Sequence, residues 1–144
     1  MQLFNTKVVT SDTDALWQIP SLPDMSGMKL LVITKPFSEG SIEAQTLRKM
    51  LAACKLAETD YMVLHVGAQR YSWHSIEGAN PPDIVLLLGI APVQLAIHAL
   101  FKLHAPNPFA GKTFIPALSL TDIENNPSAK KELWASGLKP AFGL

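Results

Sequence analysis

The sequence is poor in the residues that would announce a disulfide, a metal centre or a membrane span. It holds one cysteine, Cys54, which excludes an internal disulfide and any CxxC metal site and makes a reducing compartment the simpler reading. An excess of one charge is lacking too. Twelve Lys and Arg balance 12 Asp and Glu, so there is no general attraction for a phosphate backbone, and any nucleic-acid contact would have to come from a local patch. The longest apolar run, Ile84 to Val93, is broken by Gly89 and Pro92 and is about half the roughly 20 residues of a membrane span. The opening Met1-Gln2-Leu3-Phe4-Asn5-Thr6-Lys7 lacks the basic segment and apolar stretch of a signal peptide. A soluble, cytoplasmic protein with no membrane association is expected.

Catalytic and ligand motifs are equally scarce. The histidines His65, His74, His98 and His104 form no HxH, HExxH or HxxxH pair, so no metal or other cofactor is expected. GxSxG, GxGxxG and the phosphate-cradling GxxxxGK[ST] are all missing. Cys54 falls on the buried side of a predicted helix, where a free thiol acts as a small inert hydrophobe. Asp60, Asp83 and Asp122 stand at element ends, positions where aspartate caps and turns.

What is present is a globular pattern. With 144 residues, 48% apolar and 17% charged, the chain has enough apolar content for one domain and too much for a disordered segment. Residues 1–27 read as an arm: Val8-Val9-Thr10 suits a short strand, and Ser11 to Ile19 suits one or two helical turns capped by Ser11 or Asp12. Pro20, Pro23 and Gly27 prevent a long element there.

Residues 28–144 alternate between strand and helix patterns. Met28 to Thr34 is apolar without alternation, as in a strand covered on both faces. Ser41 then suits an N-cap with Glu43 in the first turn, and Leu47, Met50, Leu51 and Cys54 give the apolar stripe of a helix of about 15 residues. Tyr61 to Val66 is a second strand, Gly67 to Pro82 a long polar connection, and Asp83 to Gly89 a third strand. Pro92 suits the first turn of a helix whose buried stripe would be Val93, Ala96, Ile97, Leu100 and Leu103. Lys112 to Leu118 is a fourth strand, with Pro116 near its end or on an edge. Asn126 and Pro127 suit N-cap and N1 of a closing helix with Ala129, Leu133 and Trp134 inward, stopped by Gly137. This order implies an α/β fold, three layers α/β/α, around a mostly parallel central sheet of about four strands.

In such folds ligands bind beyond the carboxyl ends of the strands. The candidates for a ligand or anion site are therefore Thr34, Gly89, Ile90 and Ala91, with backbone amides at the predicted helix start; the plainer reading of Gly89 is the tight turn from strand to helix. His74, in the polar connection near Arg70, Tyr71 and Trp73, is the histidine to check first for chemistry, although a solvated or packing role is the plainer reading. On the arm, Leu16, Trp17 and Ile19 have little apolar sequence around them, so Trp17 either contacts a partner or folds back onto its own domain.

Three segments together resemble the uracil-DNA glycosylase superfamily. "KPFSEGSIEAQTLRKMLAACKL", Lys35 to Leu56, is similar to the stretch in which a basic residue, Pro and Phe precede a small-residue turn and a helix. "PPDIVLLLGIAPVQLAI", Pro81 to Ile97, resembles the central strand and glycine turn, and "FIPALSLTDIENNPSAKKELWASGLK", Phe114 to Lys139, the last strand and an "NPxxKxxxWxxL" closing helix. The family's glycine-rich loop, with the acid or Asn that positions water, should come before the Pro-Phe stretch, yet Ile33-Thr34 runs straight into Lys35-Pro36-Phe37. The family's His-Pro loop would fall at Ala117 to Thr121, which contains neither residue. The resemblance therefore implies a glycosylase-like domain without catalysis. The psi subunits of the bacterial DNA polymerase holoenzyme share that profile, with an arm that docks on the clamp loader and a body that binds the chi subunit. The implied partner is a clamp-loader or other replication or repair protein. The alternative is a divergent DNA glycosylase acting on uracil or another base, its site rebuilt from Glu39, His74 and Ser119. A weaker alternative is passive DNA binding through Lys35, Arg48, Lys49, Lys112, Lys130 and Lys131.

Overall fold

The computed structural model describes residues 22–67 and 71–144. The arm features Val8-Val9-Thr10, Leu16, Trp17 and Ile19, and Arg70 of the connection, lie outside the described residues. Packing begins at once after them: Met25 is fully buried, and its amide donates to the Ala79 carbonyl at 2.8 Å.

Five strands form one sheet in the order β2-β1-β3-β5-β4. β1 (Leu30–Thr34), β2 (Tyr61–His65), β3 (Ile84–Leu88) and β5 (Lys112–Ala117) run parallel, and β4 (Asn107–Phe109) pairs antiparallel with β5. β1 is buried at every position, as its unbroken apolar run requires. The four expected strands are present, and the fifth, β4, corrects the count. It is three residues long with Pro108 at its centre, and it turns into β5 through Ala110 and Gly111 at φ +52° and +76°, the left-handed pair of a two-residue hairpin. Pro116 lies in β5 beyond the last residue that β4 pairs with, so no ladder bond is lost to its missing N–H.

Alternation along the strands builds a core on each face. Leu31, Ile33, Leu64, Val85, Leu87 and Phe114 belong to one cluster, and Leu30, Val32, Leu86, Leu88 and Ile115 to the other. On the second face lie α1 (Ile42–Ala53) and α3 (Leu120–Glu124), and α4 (Pro127–Glu132) leads into it through Leu133. On the first lies α2 (Trp73–Glu77). This is an α/β protein with helices on both sides of a mostly parallel sheet, an arrangement compatible with three layers.

Ser41 caps α1 as expected, accepting from the Ala44 amide at 3.2 Å. The helix is shorter than predicted, because Cys54 already acts as its C-cap, and Met50 is only half-buried while Ala44, Thr46, Leu47 and Leu51 are buried.

Three expectations are corrected. The connection after β2 is not simply polar, since it contains α2 and buries Tyr71, Trp73 and Ile76, with the Trp73 ring edge-on to Phe114 at 4.9 Å. The predicted helix after β3 is only a 3-10 turn, Pro92–Leu95, ended by Ala96 at φ +57°. From its last residue onward, Leu95 and Ile97 are buried and Ala99 and Phe101 half-buried, while Ala96, His98, Leu100 and Lys102 face out: a period of two rather than of a helix. Consequently Val93, Leu100 and Leu103 are exposed instead of forming the buried stripe. Finally, Gly137 does not stop the closing helix. It is buried inside a π-helical turn, Leu133–Leu138, which leads into α5 (Lys139–Ala141). A Cβ at Gly137 would lie 3.0 Å from Ile115 Cγ2 and 3.2 Å from the His104 carbonyl, so the glycine lets this turn press onto β5.

Candidate functional site

β1 and β3 are neighbours whose connections leave in opposite directions, β1 toward β2 and β3 toward β5, so the sheet's switch point lies at their carboxyl ends. Thr34, Gly89, Ile90 and Ala91 all fall there. The Thr34 hydroxyl and the Gly89 and Ala91 amides are already engaged. Thr34 is 1% exposed and its hydroxyl donates to the Lys35 carbonyl at 3.1 Å. The Gly89 amide donates to the Ala117 carbonyl at 3.0 Å, and the Ala91 amide to Gln94 Oε1 at 2.8 Å. Ile90 is buried. To either side of the switch point the loops pack tightly, β3 with β5 and β1 with β2. A Cβ at Gly89 (φ +71°) would lie 2.8 Å from Ser119 Cβ, and one at Gly67 would lie 2.9 Å from Pro36 Cγ.

Glu39, His74 and Ser119 are not assembled. Glu39 is exposed in the turn before α1, and His74 is exposed on α2, which packs on the opposite face of the sheet from α1. Ser119 caps α3, its hydroxyl accepting from the Asp122 amide at 3.2 Å. The basic residues are scattered as well: Lys35 follows the carboxyl end of β1, whereas Lys112 opens β5 at the other end of the sheet, donating to the Pro81 carbonyl at 3.0 Å.

Polar side chains do converge beside β2, in a cleft of about 290 Å³. Its walls are the β1–α1 turn with Phe37 and Glu39, one face of α1 with Ala44, Leu47 and Arg48, Glu58 ahead of β2, and Tyr61, Val63 and His65 of β2. The spacings explain the convergence. Positions 44, 47 and 48 share a helix face, and 61, 63 and 65 share a strand face. Phe37 packs on His65 at 4.7 Å between ring centroids. Glu39 is legible as a candidate from its turn, whereas no local signal groups Arg48, Glu58, Tyr61 and His65. Their strand and helix periodicities were present in the sequence, but which strand α1 would flank was not.

A second, apolar depression of about 370 Å³ lies along Pro92, Val93, Ile97, His98 and Leu100. Among the described residues, no three His, Cys, Asp or Glu side chains group closely enough to hold a metal ion, and no helix is long and apolar enough to cross a membrane. Cys54 is buried, which pushes its thiol up to about 11. Glu43 is held below the ordinary 4.5 by its own backbone amide and by the Thr121 hydroxyl, which donates to it at 2.9 Å. No known protein-family model matches the chain, and no curated protein matches it.

Proposed function

We propose that this chain is a non-catalytic domain of the uracil-DNA glycosylase-like kind, working as a protein-interaction subunit in DNA replication or repair in the manner of the psi subunits. The observation that carries this reading is that the polar groups found at the carboxyl ends of β1 and β3 are already bonded inside the chain. Glycosidic cleavage needs an oriented water and donors aimed at the departing base. Here the Thr34 hydroxyl and the Gly89 and Ala91 amides are consumed inside the chain, and Gly89 is packed on Ser119 beyond the end of β5. The absence of a water-positioning loop between Thr34 and Lys35 agrees with it.

Contact with a partner then falls to the arm, where Leu16, Trp17 and Ile19 provide an apolar anchor of the type that dominates interfaces. The test mixes the purified full-length chain with the clamp-loader complex and the chi subunit from the same cells and follows co-elution. A complex weakened at least tenfold by Trp17→Ala, with no base release from uracil-containing oligonucleotides, is expected. Failure to bind either partner would overturn the reading. So would base release that disappears in Glu39→Ala, which would establish the divergent-glycosylase alternative instead.

A further inference from the structure

The sheet has two edges of different kinds. β4 is three residues long with Pro108 at its centre, and a short strand carrying proline discourages another strand from pairing. β2, Tyr61-Met62-Val63-Leu64-His65, has no proline, lysine or acid, and its register with β1 is unbroken over its whole length, so it has no bulge. Among the described residues nothing of the usual kind guards this edge: no proline, no charge and no bulge.

Its free backbone groups can be assigned. The Asp60 carbonyl accepts from the Lys29 amide and the Val66 amide donates to the Thr34 carbonyl, so even-numbered residues turn toward β1. The N–H and C=O groups of Tyr61, Val63 and His65 therefore point outward, where no strand of the described residues pairs with them. The same three residues put their side chains into the cleft, beside Glu39, Glu58 and Arg48. None of those three charged groups is ion-paired within the described residues, and two carboxylates against one guanidinium leave the rim negative.

We infer that the β2 edge receives an extended segment of a partner protein that carries a lysine or arginine and continues the sheet as a further strand. Main-chain bonds to Tyr61, Val63 and His65 supply affinity, and a basic side chain reaching Glu39 and Glu58 supplies selectivity. This deepens the proposed reading and rests on it for the existence of a protein partner, but it uses a surface other than the arm.

The test is an NMR titration of the 15N-labelled full-length chain with two acetylated, amidated peptides, Thr-Val-Arg-Val-Thr and Thr-Val-Glu-Val-Thr. The arginine peptide should shift the amides of residues 61, 63 and 65 and bind at least fivefold tighter than the glutamate peptide. That preference should vanish in a Glu39→Gln/Glu58→Gln double variant. Val63→Pro removes one outward donor without touching the β1 ladder and should weaken the arginine peptide at least fivefold; should it not fold, the double variant still decides. Three results would overturn the inference: no shift at these amides with either peptide, equal binding of both, or a dimer in which these amides are already protected, meaning that a second copy fills the edge. Loss of peptide binding with arm-dependent clamp-loader binding intact would remove this inference alone.

Discussion

Gly89 and Gly137 show how much depends on a missing Cβ. Gly89 adopts φ +71°, which L side chains rarely do, and also lies against Ser119 with room for no side chain atom. Gly137 is helical in φ, so its constraint is spatial only: Ile115, Leu133 and the His104 carbonyl. Gly89→Ala should therefore cost about 3 kcal/mol, strain and clash together, and Gly137→Ala about 1–3 kcal/mol from the clash. Urea denaturation of the two variants checks the order. Gly89 could be read as a tight strand-to-turn residue from its place after an apolar run. Gly137, read as a helix stop from the same residue type, was misread because only its neighbours across the chain reveal the close approach. His104 makes the same point. It is 2% exposed, its Nδ1 lies 2.7 Å from Glu132 Oε1, and its amide donates to the Pro116 carbonyl at 2.7 Å. None of these partners is near it in sequence.

Elements whose signals are local came out as the sequence indicates. Ser41 and Asn126 cap their helices through side-chain oxygens, and Pro127 occupies the first turn of α4, because caps and N1 prolines act within three or four residues. The segment after β3 is the contrary case. Val93, Ala96, Ile97, Leu100 and Leu103 match a helical period, yet Leu95, Ile97 and Phe101 are what the core accepts, with Phe101 stacked on Phe114 at 5.4 Å between centroids. A short apolar stretch satisfies either period, and the sheet face it lies on decides between them. The consequence is measurable. Leu95→Ala should lose about 2–5 kcal/mol, as for a buried leucine. Leu100→Ala should change stability by less than about 0.5 kcal/mol, because Leu100 is 103% exposed. A buried helical stripe would require the Leu100 variant to be the damaging one as well.

At the scale of the whole molecule, two apolar clusters on opposite faces of one sheet account for stability without a disulfide. Ionisation acts on that balance from the alkaline side. The Cys54 thiol, ordinarily near 9.0, is raised to about 11 by burial, so the folded chain keeps the proton that the unfolded chain releases. Its contribution is intact below pH 9 and declines between about 9 and 11, so the urea midpoint should fall across that window. Replacement by Cys54→Ala should flatten that part of the profile. An unchanged profile in the variant would mean that other groups govern the alkaline loss.

Composition and pattern were enough to determine an α/β domain with a mostly parallel sheet, the positions of four strands and the caps of two helices. These follow from burial of apolar runs and from hydrogen bonds that close over a few residues. The tertiary structure alone decided that Gly89 packs on Ser119, that residues 97–101 alternate between core and solvent instead of forming a helix, and that Glu39, Arg48, Glu58, Tyr61 and His65 share a cleft. Each of those outcomes depends on which surfaces meet across distant stretches of chain, and no periodicity within one stretch encodes its neighbour in another.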